Sequence, residues 1–402
     1  MMQNKAKALL IVLVLLAAAL VAVGCAGAPV EEAPTPEPTA VPTPEPTAVI
    51  VTPEPTPEPT ATPTPVPTPT PTPKNRSQTT GFEIPEGTPS RPVIVSIENS
   101  DPAKPQTALM DADIIYEFQV ESMITRLQVL FNDKYPIYAG PLRSVRYYFI
   151  DLAHEWDCMY LHIGGVTLDG KYKRNPVKLI SIYPRSGEKE FNGFTAKFSR
   201  SKGPYNDYSI QGYRFRTVDR PEPHNLYIMV DKMVDRYYGD HEAQICERFK
   251  FMEDVAYEQA ESYSTVSLPY MNTSDPNWIQ FIYNPSDNRI YRKENGNDFY
   301  TLTPSEDGDT LTEERMSVQN LIVQHVPYGN VPGDSKGRRT CDLIGSGKCD
   351  YFINGKHVTG MWSRPTSDDY TCYMLDDGST VTLEPGNTWI AVHPDNMTVT
   401  IG

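Results

Sequence analysis

Positive charge is in short supply in this sequence. Its 402 residues hold 36 Lys and Arg against 51 Asp and Glu, a formal net charge of −15. Nucleic acids are held by a basic footprint, so no nucleic-acid partner is expected. Catalytic and metal signatures are missing as well. There is no HExxH, no phosphate-binding glycine loop and no nucleophile elbow, and no cysteine pair has the CxxC spacing of a zinc site. No metal or cofactor is expected. Cysteine is sparse, at six residues. With Cys25 set aside, the odd remainder (Cys158, Cys246, Cys341, Cys349 and Cys372) argues against a full disulfide framework. Cys341 and Cys349, which flank Gly345-Ser346-Gly347, are the candidate pair in an exported chain. Glu306-Asp307-Gly308-Asp309 lacks the downstream ligands of a calcium loop and reads as a solvated acidic turn. Proline is ordinary outside one tract: 17 of the 38 prolines lie between Pro29 and Pro73.

The longest apolar run, Ala8 to Val23, is shorter than the roughly 20 residues of a membrane span. With Lys5 and Lys7 before it, the run reads as an export signal over residues 1–24. Its ending, Ala22-Val23-Gly24-Cys25, resembles the bacterial lipobox, which implies acylation (palmitate included) of Cys25 and a lipid-anchored protein on the extracytoplasmic face of the cell membrane. Residues 25–80 repeat Thr-Pro-Glu-Pro-Thr and then alternate Thr and Pro. Proline fixes φ and removes a donor, so neither helix nor sheet can form. The expected structure is a disordered, polyproline-like stalk. At ~3.1 Å per residue it could reach on the order of 140 Å.

Beyond the stalk, roughly 320 residues suffice for a buried core. The expected fold class is α+β: an N-terminal α+β domain over 88–245, then a β-rich domain over 255–402, with the boundary near residues 240 to 262. Pro92 to Ile97 reads as a first strand. Ile114 to Glu121 and Ile124 to Phe131 alternate apolar and polar residues as a hairpin would. A tight turn at Ser122-Met123 pairs Gln119 with Arg126 and Glu117 with Gln128, which puts both polar sets on one face. Ser144 is expected to cap a helix whose buried stripe is Val145, Tyr148, Phe149, Leu152 and Trp156. Cys158 to Ile163 reads as a strand and Val230 to Tyr238 as a second helix. Later strands include Trp278 to Tyr283, Leu321 to Val326, Cys349 to Ile353 and Trp389 to Val392. Asn354-Gly355 and Asp377-Gly378 are hairpin turns.

Ala112-Asp113-Ile114-Ile115-Tyr116-Glu117, Gly140-Pro141-Leu142-Arg143-Ser144-Val145-Arg146, His162-Ile163-Gly164-Gly165, Pro223-His224-Asn225-Leu226-Tyr227 and Asn320-Leu321-Ile322-Val323 resemble the YerB-like lipoproteins. The resemblance covers nearly all of residues 90 to 402 and departs at Glu98 and Ser122. That family is a two-part domain of unknown function, so the resemblance implies a fold and an address but no activity.

Two arginines delivered by a Gly-Pro turn into a helix start are electrostatically odd, because a helix N-terminus already favours anions. Arg143 and Arg146 therefore answer either internal carboxylates, Glu117 and Glu121, or an anionic ligand. Arg126, His162, His224 and Asn225 complete the candidate ligand-binding set. The other histidines, His154, His241, His325, His357 and His393, read as surface or structural. Two functions follow from these residues. One is an envelope lipoprotein that binds or scaffolds cell-wall polymer or another envelope protein through an anion-binding cleft. The alternative is a cell-wall hydrolase or transferase that uses Glu/His acid–base chemistry on an arginine-bound anionic substrate.

Overall fold

A computed structural model of the chain describes residues 75–121, 124–165, 213–240, 242–244, 246–270 and 278–402. The signal segment, Cys25, the spacer to Lys74, the Ser122-Met123 turn, the polar stretch 166–212 and His241 lie outside the described residues. Among the described residues the chain is strand-rich, with two α-helices. The elements used below are β1 (Val93–Glu98), β2 (Ile114–Gln119), β3 (Thr125–Phe131), α1 (Tyr147–Trp156), β4 (Met159–Leu161), α2 (Val230–Tyr237), β5 (Thr265–Leu268), β6 (Ile279–Asn284), β7 (Arg289–Glu294), β8 (Asn320–Val326), β9 (Gly345–Ile353), β10 (Lys356–Arg364), β11 (Cys372–Leu375), β12 (Thr388–Pro394) and β13 (Thr400–Ile401).

One sheet runs through both halves of the sequence, in the order β11-β10-β9-β8-β12-β2-β3-β1-β4. β12 and β2 join the halves in parallel, with Ile390 opposite Tyr116 and Ala391 opposite Glu117. The stretches on either side of residues 240–262, expected as two domains, thus share this sheet, and the described residues belong to one compact unit.

Successive side chains on a strand point to opposite faces, yet every residue of β1, β2 and β3 is buried. Both faces must therefore be covered. On one face, Val95, Ile115, Leu127, Val129, Val323 and Trp389 pack against Val266, Leu268, Phe281 and Ile290 of a second sheet, and against Val230 and Met233 of α2. That second sheet contains β7, β6, β5 and β13 in that order. On the opposite face, Ile94, Tyr116, Phe118, Leu130 and Ile390 pack against α1. Phe118 meets Tyr148 at 5.7 Å and Phe149 edge-on at 5.1 Å between ring centroids. Burying one such ring contributes ~1.5–3 kcal/mol. All ten residues of α1 are buried, so it is a core helix and not the one-stripe surface helix that the spacing implied.

Two local expectations are corrected. The β2–β3 register pairs Glu117 with Leu127, Phe118 with Arg126 and Gln119 with Thr125, one residue away from the expected pairing. A one-residue slip reverses which side chains share a face. Glu117 and Gln119 thus lie with Leu127 and Val129, and Arg126 and Gln128 lie with Tyr116 and Phe118. The slip is stable because both faces are core, so alternation alone does not fix the register. Nor does Ser144 cap the helix: α1 begins after Arg146, without a side-chain cap. Backbone pairing holds the preceding residues extended. Arg143 N–H donates to Ser96 O at 2.9 Å, Leu142 N–H to Leu226 O at 2.7 Å and Val145 N–H to Gly164 O at 3.1 Å.

At the β9–β10 hairpin, Asn354 and Gly355 both take positive φ, 49° and 74°, the two left-handed residues that this tight turn requires.

Candidate functional site

The large sheet separates the candidate residues. Glu117 points toward the second sheet and is wholly buried. Its Oε1 pairs with Arg292 at 2.8 Å and accepts Thr125 Oγ1 at 2.7 Å, while its Oε2 accepts Trp389 Nε1 at 3.1 Å. Arg292, 1% exposed, also meets Glu294 at 2.9 Å and lies over the Phe299 ring at 4.1 Å. Burial acts against the Arg292 charge, but Glu117 and Glu294 outweigh it and raise its pKa above the ordinary value. This is a sealed ion pair with its acceptors filled, so Glu117 lacks the access that an acid–base residue needs.

The remaining charged candidates gather on the α1 face. Glu98 and Arg126 are cross-strand neighbours on β1 and β3. Glu98 receives Arg143 at 2.9 Å and His224 Nδ1 at 3.0 Å, and accepts Ser100 Oγ at 2.6 Å. Glu121, just beyond β2, takes Arg146 Nη2 on both oxygens at 2.5 and 2.6 Å, with Arg126 at 4.0 Å. Burial tends to raise the Glu121 pKa, but Arg146 and Arg126 hold it below the ordinary value. Three guanidinium groups thus face two carboxylates. Burial, with Arg146 adding to it, pulls Arg126 down to about 10 despite Glu121. Arg126 and Arg146 are only 6% and 7% exposed. The Nε atom of each is buried and has no hydrogen-bond partner among the described residues. Arg146 also occupies the N-cap of α1, where the helix dipole disfavours a cation. The cluster therefore sets three guanidinium charges against two carboxylates, with Arg126 and Arg146 buried and Arg143 partly exposed.

His162 and Asn225 have supporting places. His162 is fully buried, stacks on Tyr160 at 5.0 Å and meets Gly164 O through Nδ1 at 2.9 Å. Burial drives its pKa down to about 3, so it stays neutral. Asn225 donates to Thr217 O at 2.8 Å and Arg220 O at 3.0 Å, and accepts Arg216 Nη1 at 2.8 Å. These bonds fix the turn that presents His224.

The disulfide expectation is corrected. Cys341 and Cys349 are separate buried thiols. Cys341 pairs with Tyr328 on a short two-stranded ribbon, whereas Cys349 lies in mid-β9 between Gln324 and Gly360. They do not face each other across a hairpin. The acidic turn is as expected: Asp307 Oδ1 accepts Ser305 Oγ at 2.5 Å and the Asp309 N–H at 3.0 Å.

One constellation has no precursor in the sequence reading. Asp350 on β9 takes His325 Nε2 of β8 on one oxygen and His357 Nε2 of β10 on the other, each at 2.7 Å. His393 of β12 lies beside His325, with ring centroids 5.7 Å apart. Burial tends to raise the Asp350 pKa, but the two imidazoles hold it well below the ordinary carboxylate range. His357 also lines a surface groove with Tyr257, Glu258, Glu261 and Thr359. Strand parity alone could have put His325 on the face of Leu321 and Val323, but its meeting with Asp350 depends on the strand order. Among the described residues no group of three or more His, Cys, Asp or Glu could hold a metal ion, and no helix is long and apolar enough to cross a membrane.

Two family models match the chain: "Protein of unknown function (DUF3048) N-terminal domain" over residues 79–243 and the corresponding C-terminal domain over 266–390. The chain is 26% identical over 330 residues to "Putative lipoprotein YerB" of Bacillus subtilis (strain 168), covering 80% of this chain and 87% of that protein. A crystal structure of YerB from Bacillus subtilis superposes with a TM-score of 0.59 at 24% identity, over 82% of this chain and 100% of that one. The last likeness speaks to fold alone.

Proposed function

The chain belongs to the DUF3048 family, and on that premise we propose that it is a lipid-anchored, extracytoplasmic lipoprotein whose head binds an anionic group of the cell envelope. The head holds its ligand and does not cleave it. The lipoprotein name of the Bacillus relative supports the address, as does the Lys5 to Cys25 export pattern with its Cys25 anchor.

The observation that carries the binding reading is the charge imbalance at the start of α1. Arg126, Arg143 and Arg146 outnumber Glu98 and Glu121 in a partly buried site, and two of the guanidinium groups keep a buried donor unused. An incoming carboxylate or phosphate would restore neutrality and accept those donors. Charge-assisted bonds of this kind are the strong ones. The hydrolase reading loses one of its two candidate carboxyls, because Glu117 is sealed on the opposite face by Arg292.

The test is cosedimentation of the full chain with purified cell-wall fragments, before and after their anionic polymer is stripped. Binding that depends on the anionic polymer, weakens with salt and is lost in Arg126→Gln supports the reading. Release of soluble wall fragments by the wild-type protein, lost in Glu121→Gln, would favour the enzyme instead.

A further inference from the structure

Three of the five described cysteines are deeply buried, and the other two, Cys246 and Cys372, are partly exposed on segments held side by side. The Arg248 N–H donates to Cys246 O at 3.0 Å, and Arg248 O accepts the Tyr373 N–H at 3.0 Å. The peptide unit between Cys372 and Tyr373 is thus bonded to a residue two positions from Cys246. The Arg248 guanidinium lies 5.2 Å over the Tyr370 ring, which ties the same two segments together through side chains. Burial raises the Cys372 pKa against the pull of the Arg248 guanidinium, and the neighbouring Cys246 adds to that rise. Cys246 also lines an open pocket with Arg76, Glu247 and Lys250, where a reagent can reach it.

We propose that Cys246 and Cys372 are the protein's disulfide-forming pair, closing on each other when the chain meets a small-molecule disulfide oxidant. The Cys246 thiolate attacks one sulfur of the reagent, breaks its S–S bond and releases one thiolate. The Cys372 thiolate then attacks Cys246 Sγ in the mixed disulfide and releases the second. Two protons leave the protein, and the reagent is reduced by two electrons to two thiols. The new bond fastens the segment joining the two halves of the chain to β11 at the edge of the large sheet. None of this depends on the anion site.

The experiment uses the full chain in detergent, oxidised with glutathione disulfide, alkylated, and digested without reduction for mass spectrometry. The expected product is one cross-linked peptide pair containing Cys246 and Cys372, two hydrogens lighter than the separate peptides. It should be absent in Cys372→Ala, where Cys246 should instead retain glutathione. Recovery of Cys246 and Cys372 from the wild type only as glutathione adducts or alkylated thiols, or joined to other cysteines, overturns the proposal.

Discussion

Replacing Glu117 with Gln keeps the side-chain volume and removes only its charge, so the variant separates a structural Glu117 from a catalytic one. In the wild type, this carboxylate accepts from Arg292, Thr125 and Trp389 within 3.1 Å. After the change, Arg292 keeps Glu294 at 2.9 Å, and Glu294 is already engaged by Lys104 at 2.5 Å. Breaking a buried pair costs ~3–5 kcal/mol, and the remaining Glu294 contact puts this case near 3. For a folded unit of this size, that is a fall in melting temperature of roughly 4 °C. Thermal and urea unfolding of the full chain, followed by near-ultraviolet circular dichroism, would measure it. Adding Arg292→Met should recover part of the loss, because it removes the stranded cation. A Glu117→Gln protein that melts with the wild type, and has lost a wall-directed activity, would refute the structural assignment.

Three further outcomes follow. Asp350→Asn should cost roughly 1.5–3 kcal/mol at pH 7, as expected for hydrogen bonds to a charged group. A carboxylate with a depressed folded pKa contributes stability above its unfolded pKa and loses it as pH falls, so urea curves at pH 7 and pH 3 should show the gap narrowing in acid. His162 and His393, pushed down to about 3 and about 4 by burial, have the opposite chemistry but the same direction. The unfolded imidazoles take up protons first below ~6.5, and each costs the fold ~1.4 kcal/mol per pH unit until its folded pKa is reached. His162→Asn should remove about one proton from the measured pH dependence between pH 6 and 4.5. Cys25→Ser should move the protein from the detergent-soluble membrane fraction to the aqueous one, since the thiol is the expected acylation site; continued partition as a lipidated species would contradict the anchor.

Element existence was legible in the sequence wherever a strong period ran without interruption. β1, β2, β3, β8, β12 and both helices lie within about three residues of their expected places. The β2–β3 register was not legible. When both faces of a strand are buried, polar residues such as Glu117 and Gln128 sit inside on opposite faces and alternation stops marking the solvent side. Long-range pairing was also hidden. No local pattern shows that β12 inserts beside β2, and that insertion brings Trp389 to Glu117 and His393 to His325. The arginine cluster was read from Gly140 to Arg146, but its second carboxylate, Glu98, comes from β1, and Arg292, which removes Glu117 from the site, comes from the other half of the chain.

The most direct test of the anion site is the melting temperature of the full chain titrated with inorganic phosphate, for wild type and Arg126→Gln. A ligand that binds only the folded state stabilises it in proportion to the logarithm of one plus its concentration over its dissociation constant. The wild type should rise with the logarithm of the phosphate concentration once that exceeds the dissociation constant. Arg126→Gln should start close to the wild type, because the lost guanidinium was already desolvated and crowded by Arg146, and should not respond. Equal shifts in both proteins, or an Arg126→Gln protein that melts far below an unresponsive wild type, would show that these arginines serve only the fold.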